Sequence, residues 1–187
     1  MQAQPSVIAT GDFLYFAPTG QNFTIPTAGV VSSSALPDPT DPIWTTFALG
    51  TVKKPAQDKV ASKEIKVMSP LPGTGVISTR KIIRPEHELT MEVEMNEISR
   101  LAIAGFYKSG LIAVNATSFV PLASSVSLEG WLKRQRYDAS QSTGTPWIVE
   151  NWYVDLDCTD LAVSEPNLLN PKFKFTWLYS SLQGAAI

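Results

Sequence analysis

The sequence predicts a mainly β protein, a β-sandwich or barrel with one packed α-helix and long loops. Residues 86–95 alternate apolar and charged side chains, with the period of two that a half-buried strand requires. Residues 126–137 and 147–158 also alternate, and the polar turn between them indicates an antiparallel hairpin. Only residues 97–108 have a broad apolar stripe with a helical period.

The first part of the chain predicts a strand, a long loop and a second short strand. Residues 6–16 end in the apolar run 13–16, which has a high β-propensity. The segment 17–42 is rich in Pro, Ser and Thr, and the prolines of residues 35–42 exclude a regular helix or a central strand there. Residues 43–49 are predicted to form a short strand.

Residues 50–80 form a second long loop, which we interpret as an extended β-hairpin. Its arms are predicted at 64–68 and 76–84, and residues 69–75 supply a turn-rich tip. The segment is locally basic through Lys53, Lys54, Lys59, Lys63 and Lys66.

The single helix is predicted over residues 97–108. Asn96 is a good N-cap, Glu97 complements the helix dipole in the first turn, and Gly110 suits the C-cap. After it, residues 111–120 predict a weak strand, and residues 172–179 predict a final strand.

Composition indicates one domain over residues 1–187, with much of its surface in contact with other subunits. Charged residues make up only 17% of the chain, against about 25% in a typical soluble domain. The net charge of −2 disfavours a general nucleic-acid binder, which needs a basic surplus. No apolar run is long enough for a transmembrane helix, and the N-terminus lacks the pattern of a signal peptide.

The sequence gives little support for an enzyme, a metal site or a cofactor. One Cys, Cys158, and one His, His87, leave few nucleophile–base pairs or metal-ligand sets. The carboxylates of residues 86–97 could act as a glycosidase pair, but a solvated strand face is the simpler interpretation. Residues 72–75 contain a Gly-x-Gly that fits a turn better than a phosphate loop.

Three tryptophans of the predicted hairpin, Trp131, Trp147 and Trp152, leave an alternative open. They could stack sugars in a carbohydrate-binding module, or they could fill a core or a subunit interface. The second interpretation is favoured because no Asp/Asn cluster for hydroxyl or calcium binding accompanies them.

The order of elements resembles the tail tube (major tail) proteins of long-tailed bacteriophages. The matching parts are the long loop 50–80, the strand Glu88-Leu89-Thr90-Met91-Glu92-Val93-Glu94-Met95, the helix after it, the hairpin opening Leu128-Glu129-Gly130-Trp131, and the final strand Phe173-Lys174-Phe175-Thr176-Trp177. The resemblance implies a β-sandwich flanked by a helix and a long hairpin loop, in hexameric rings stacked into a tube that conducts DNA during ejection.

That resemblance implies a non-enzymatic virion subunit, made in the host cytoplasm and located in the tail, with no membrane partner. Its partners would be further copies of itself and the tape measure, terminator and distal tail proteins, while DNA passes without specific binding. We expect Glu88, Glu92 and Glu94 to face the lumen, where carboxylates repel phosphate. We expect ring-to-ring contacts at the 17–42 loop and at the basic loop, through Lys53, Lys54, Lys59, Lys63, Pro70, Leu71, Pro72 and Gly73.

Three other functions remain open at this level. The chain could be another β-rich virion part, such as a capsid decoration or head–tail connector protein. It could be a carbohydrate-binding module that uses the tryptophans, or a glycosidase-like enzyme that uses the glutamates.

Overall fold

The fold consists of nine strands and one helix within the residues described by the computed structural model, which are 9–23, 29–53, 57–70, 77–107, 117–118, 120–121, 128–138, 144–165 and 168–182. In chain order the elements are β1 (Ala9–Pro18), β2 (Asn22–Phe23), β3 (Gly29–Val30), a 3-10 helix (Pro42–Phe47), β4 (Ala48–Thr51), β5 (Gln57–Pro70), β6 (Ile77–Glu94), α1 (Arg100–Tyr107), β7 (Leu128–Asp138), β8 (Ile148–Glu165) and β9 (Leu168–Trp177).

Seven of these strands form one antiparallel sheet in the order β4-β1-β7-β8-β9-β6-β5, and β2 and β3 pair separately. The predicted fold class is therefore confirmed. The predicted hairpin is β7 and β8, paired from Leu128 opposite Leu156 to Arg136 opposite Ile148. The predicted first and last strands correspond to β1 and β9.

The sheet closes on itself, because β4 meets the end of β6 as well as β1. Val52 and Met95 form an antiparallel bridge. The Lys53 N–H donates to the Glu94 carbonyl at 2.8 Å, and the Asn96 N–H donates to the Thr51 carbonyl at 3.0 Å. Six strands thus form a barrel, and β5 continues the sheet outward from β6.

Inward-facing residues of the six barrel strands form the main core, and α1 adds Leu101 and Ala102 to it. The core residues contributed by the strands and by the bridge between Val52 and Met95 are Leu14, Phe16, Leu49, Val52, Met91, Val93, Met95, Leu132, Val154, Leu156, Cys158, Phe173 and Phe175. A Cβ at Gly105 would meet the Cβ of Cys158 at 3.4 Å. The helix therefore packs directly on β8, and Cys158 is buried beneath it.

The helix begins later than the sequence predicts, and Asn96 is not its N-cap. Ser99 holds that position, since its Oγ accepts a hydrogen bond from the Ala102 N–H at 3.1 Å. Asn96 is engaged in closing the barrel instead, and its Nδ2 donates to Thr51 Oγ1 at 3.2 Å. Gly110, which is predicted for the C-cap, lies outside the described residues.

The strand predicted at residues 43–49 is wrong for most of its length. Pro42 begins a 3-10 helix, and the side chain of Thr45 donates to the Pro42 carbonyl at 2.7 Å. Proline suits a first helical position because its fixed φ is already helical and its missing N–H is not needed there. Only residues 48–51 are a strand.

The loop predicted at 50–80 is confirmed as a long hairpin, but its second arm and the strand predicted after it are one strand. β6 runs unbroken over residues 77–94 and pairs with β5. The register skips between Lys63 opposite Glu86 and Ile65 opposite Ile83, which places Arg84 and Pro85 opposite one residue of β5. Such a bulge tolerates a proline without ending the strand. The tip at 71–76 lies outside the described residues.

The strand predicted at 111–120 falls mostly outside the described residues, and its described positions 117, 118 and 120 are not in a strand. Within the hairpin, both faces of β7 are buried, with Leu132 in the barrel core and Trp131 in a second cluster outside it. This double burial explains why β7 contains so few fully exposed side chains.

Candidate functional site

The outward face of the half of the sheet that contains β6 and β9 is charged, and we call it the charged face. Strand alternation places Met91, Val93 and Met95 in the core and Glu92 and Glu94 on the opposite side. The described charged side chains of this face are Lys53, Lys59, Glu88, Glu92, Glu94, Glu129, Asp155, Asp157, Asp160, Lys172 and Lys174. Carboxylates outnumber lysines among them.

Opposite charges alternate across neighbouring strands of the charged face. In one row Asp157 of β8 lies opposite Lys174 of β9, which lies opposite Glu92 of β6. In the next, Asp160 and Glu94 flank Lys172, and Lys172 Nζ lies 3.4 Å from Asp160 Oδ2. Opposite charges at facing positions stabilise the register of a sheet.

Two sets of residues that the sequence assigned to different surfaces meet on this face. Lys59 Nζ lies 2.8 Å from Glu92 Oε2, and Lys53 Nζ lies 3.2 Å from Glu94 Oε1. The lysines were expected in ring-to-ring contacts and the glutamates in a lumen. The side chains of Lys59 and Glu92 are 53% and 56% exposed, so the solvent screens this pair and it contributes little to stability.

The state of Glu92 is relevant to the glycosidase alternative. The hydrogen bond and positive charge of Lys59, with a smaller contribution from Lys174, hold the pKa of Glu92 below its ordinary value. A general acid of a glycosidase needs a raised pKa, so that it still carries a proton near neutral pH. Glu92 therefore does not suit that role.

The other half of the outward face is covered by residues 31–47, which we call the strap. Trp131 of β7, Tyr153 of β8 and Ala17 of β1 pack there against Val31 and Trp44 of the strap. The Trp131 indole N–H donates to the Ser32 carbonyl at 2.9 Å, and Ser180 Oγ donates to the Ser33 carbonyl. Trp131 is only 1% exposed as a result.

Lys133 of β7 binds Pro39 and Trp44 of the strap and so holds the strap against the barrel. Its Nζ lies 5.1 Å from the ring centre of Tyr15 and 5.3 Å from that of Trp44, within the range of a cation–π contact. The same nitrogen donates to the Pro39 carbonyl. Burial lowers the pKa of Lys133, and the negative charge of Asp38 opposes that shift.

Residues 31–42 of the proline-rich segment therefore lie on their own barrel rather than projecting from it. Its described residues 36–41 form no helix or strand, as the prolines predict. The Trp44 indole N–H donates to the Asp38 carbonyl at 2.7 Å, which folds the segment back on itself.

The hairpin of β5 and β6 leaves the barrel as a two-stranded ribbon, which we call the arm (residues 57–70 and 77–89). β6 pairs with β9 only from Thr90 to Glu94, and β5 pairs only with β6 among the described strands. Val60 is 69% exposed on the arm. An extended edge of this kind is a template for pairing with another chain.

A buried arginine reaches the root of the arm from the opposite wall of the barrel. Arg134 of β7 is 2% exposed, and its two terminal nitrogens lie 3.0 and 3.2 Å from the carboxylate oxygens of Asp58 on β5. Its Nε lies 2.8 Å from Glu150 Oε2 of β8, in an ion pair that is poorly aligned for a hydrogen bond. Arg136 adds a contact to Asp58 at 3.5 Å.

The structure locates the remaining predicted residues only in part. Glu88 is exposed on the charged face. Lys54, Leu71, Pro72 and Gly73 lie outside the described residues, and for Lys63 and Pro70 the backbone pairing alone is described, opposite Glu86 and Ile77.

The three tryptophans do not form one platform for a sugar. Trp131 lies beneath the strap, whereas Trp152 faces the barrel interior, 5.5 Å from Trp177. Trp147, directly before β8, is 49% exposed. The interpretation as core residues is confirmed for Trp131; Trp152 is half-buried against the barrel core, and Trp147 does not lie in a core.

No group of three or more His, Cys, Asp or Glu within the described residues could hold a metal ion. The side chain of His87 is not among those described. In the described part of the chain, no helix is both long and apolar enough to span a membrane.

Sequence reasoning missed the Arg134 cluster and the strap. Arg134 occupies an inward position of β7, and an arginine at an apolar position of an alternating strand was the available signal. Its partner Asp58 is 76 positions away in the chain and gave no signal, whereas Glu150 lies directly opposite Arg134 in the hairpin of β7 and β8.

In comparisons with known proteins, no protein-family model matches the chain and no curated protein matches it.

Proposed function

We propose that this protein is a non-enzymatic structural subunit of a bacteriophage tail tube, which associates with copies of itself in stacked hexameric rings through which DNA is ejected. The ring symmetry, the tail location and the tape measure, terminator and distal tail partners come from the resemblance of the element order. The observation that carries the proposal is the arm, a ribbon with an edge strand of fourteen residues.

The arm supports self-association because, among the described strands of the large sheet, β5 alone has a long edge that pairs with no other strand. The bridge between Val52 and Met95 joins the end of β4 to the end of β6, and the strap covers the outward face around Trp131. The edge of β5 is then the described backbone most available to a second copy. A two-stranded ribbon is marginal in water alone, so a partner strand would stabilise it.

The charged face supports a DNA conduit. Its carboxylates outnumber its lysines, which gives a surface that repels phosphate on balance. The lysines at Lys172 and Lys174 are each flanked by carboxylates on neighbouring strands, so they are poorly placed to displace counterions from DNA.

Sedimentation velocity tests the role of the arm. Wild type should form large assemblies as its concentration rises. Val60→Lys places a charge on the edge of the arm, and it should shift the onset of assembly to a much higher concentration. Thr46→Lys is the matched control, at an exposed position of the 3-10 helix. Equal assembly of all three proteins would exclude the arm edge as the interface.

Charge reversal tests the conduit separately. Replacing Glu88, Glu92 and Glu94 together with Lys should make assembled tubes retain double-stranded DNA at low salt, as measured by filter binding. Retention should fall as salt is raised, because it depends on counterion release. If the reversed tubes release DNA as wild type does, the charged face does not line the lumen.

A further inference from the structure

The root of the arm, at Asp58 and Lys59 of β5, is in contact with the barrel through two ion pairs of very different strength. On the charged face, Lys59 and Glu92 form a half-exposed pair. On the inward side, Arg134 spans the barrel to Asp58, and its guanidinium is almost completely removed from solvent. Exposed pairs contribute little, whereas a buried guanidinium depends on its carboxylate partners to compensate for the loss of solvent. The inward contact therefore dominates.

The geometry of the inward contact restricts the direction of β5. Two separate nitrogen–oxygen contacts, at 3.0 and 3.2 Å, join the guanidinium to the carboxylate of Asp58. Two parallel contacts of this kind fix orientation as well as distance. Arg134 itself is held by Glu150 and by Met91, whose Sδ lies 3.0 Å from Nη1. Through Arg134, the strands β7, β8 and β6 thus jointly position the first residues of β5.

We propose that Arg134 is a positioning residue that sets the orientation of the arm in the free subunit, before any second copy is bound. The importance of that orientation for assembly rests on the proposed function, but the orientation itself does not. A ribbon of two strands twists more freely than a larger sheet. The cross-barrel contact with Asp58 restrains the ribbon where it leaves the barrel.

Distance measurements between spin labels test the orientation directly. Labels at Lys66→Cys on the arm and Thr46→Cys on the 3-10 helix, in a Cys158→Ala background, report the angle between arm and barrel. Both label positions are exposed, and Cys158 is buried. The distribution should be narrow in this parent protein at concentrations below the onset of assembly.

Asp58→Asn is the test variant, because Asp58 is 40% exposed and its replacement should leave the barrel folded. The distance distribution should broaden in Asp58→Asn and remain narrow in the matched control Lys59→Gln, which removes the exposed pair instead. The conservative variant Asp58→Glu should restore a narrow distribution. An unchanged distribution in Asp58→Asn, with the far-ultraviolet spectrum of the parent, would overturn the proposal.

Assembly provides the second readout, and it separates this proposal from the proposed function. If only about one tenth of Asp58→Asn subunits hold the preset orientation, the onset concentration of assembly should rise about tenfold. Broadening with no assembly of any variant, wild type included, would support the positioning role and contradict the tube subunit. Broadening with an unchanged onset would overturn the link between arm orientation and assembly.

Discussion

Gly130 of β7 lies directly against the backbone of β1, and its replacement by alanine tests whether these strands are packed as described. An added Cβ would lie 2.2 Å from the carbonyl oxygen of Ala17 and 2.9 Å from both the Ala17 carbonyl carbon and the Pro18 Cα. All three are backbone atoms, which cannot rotate away as a side chain could. The strands must therefore separate.

The size of the effect follows from that separation. A carbon–oxygen contact needs about 3.3 Å, so the strands must part by about 1 Å at this point. The neighbouring hydrogen bond from the Thr19 N–H to the Glu129 carbonyl, now 2.8 Å, would be lost. Unsatisfied backbone groups cost about 1–3 kcal/mol each, and the lower chain entropy of alanine returns about 0.5–1 kcal/mol. We expect a net loss of about 2–4 kcal/mol.

Urea denaturation followed by tryptophan fluorescence measures this loss, at concentrations where the protein is monomeric, because assembly would add its own stabilisation. In thermal denaturation, the melting temperature of Gly130→Ala should fall by about 5–15 °C, given about 2–4 °C per kcal/mol in a chain of this size. Gly11→Ala is the matched control on β1, since an added Cβ there meets nothing within 4 Å. Equal stabilities of Gly130→Ala and Gly11→Ala would refute the packing of β1 on β7.

Three further predictions concern buried or half-buried side chains. Trp131→Phe leaves the Ser32 carbonyl without its 2.9 Å donor, so the free energy of unfolding should drop by about 1–3 kcal/mol; an unchanged denaturation midpoint would contradict the strap contact. Burial raises the pKa of Tyr15 and of Tyr153 above 10.0. Their contribution to stability is therefore full below pH 10 and is lost as the pH rises through the folded-state values. Absorbance at 295 nm should show both titrating later than exposed tyrosines, and titration at the ordinary pKa would count against their burial. Cys158 is buried, so its reaction with a thiol reagent should be limited by unfolding, and rapid labelling of the native protein would show that α1 does not cover it.

The sequence predicted the elements whose local pattern agrees with their final environment. β6 alternates cleanly because one face meets the core and the other meets solvent. Val93 is buried, whereas its neighbour Glu92 is exposed. The hairpin of β7 and β8 was also predictable, because the alternating runs face each other across a polar turn.

The errors arose where long-range contacts override a local signal. Asn96 has the sequence of an N-cap, but its backbone and side chain both bind Thr51, which is distant in the chain. Barrel closure through Val52 and Met95 has no sequence signature, because a single bridge depends on the tilt of every strand between them.

The candidate surfaces were predicted less well than the fold. The glutamates of β6 were found from their alternation, but their lysine partners come from other strands, and pairing cannot be deduced from spacing. The proline-rich segment gave no indication that it lies on the barrel, since the contacts that hold it involve Lys133 and Trp131, about a hundred positions away in the chain.

The most direct test of self-association is negative-stain electron microscopy of the purified protein over a range of concentrations. Annular particles are expected at low concentration and hollow stacked tubes at high concentration, because the arm has an open strand edge. Separate single subunits at every concentration would contradict self-association.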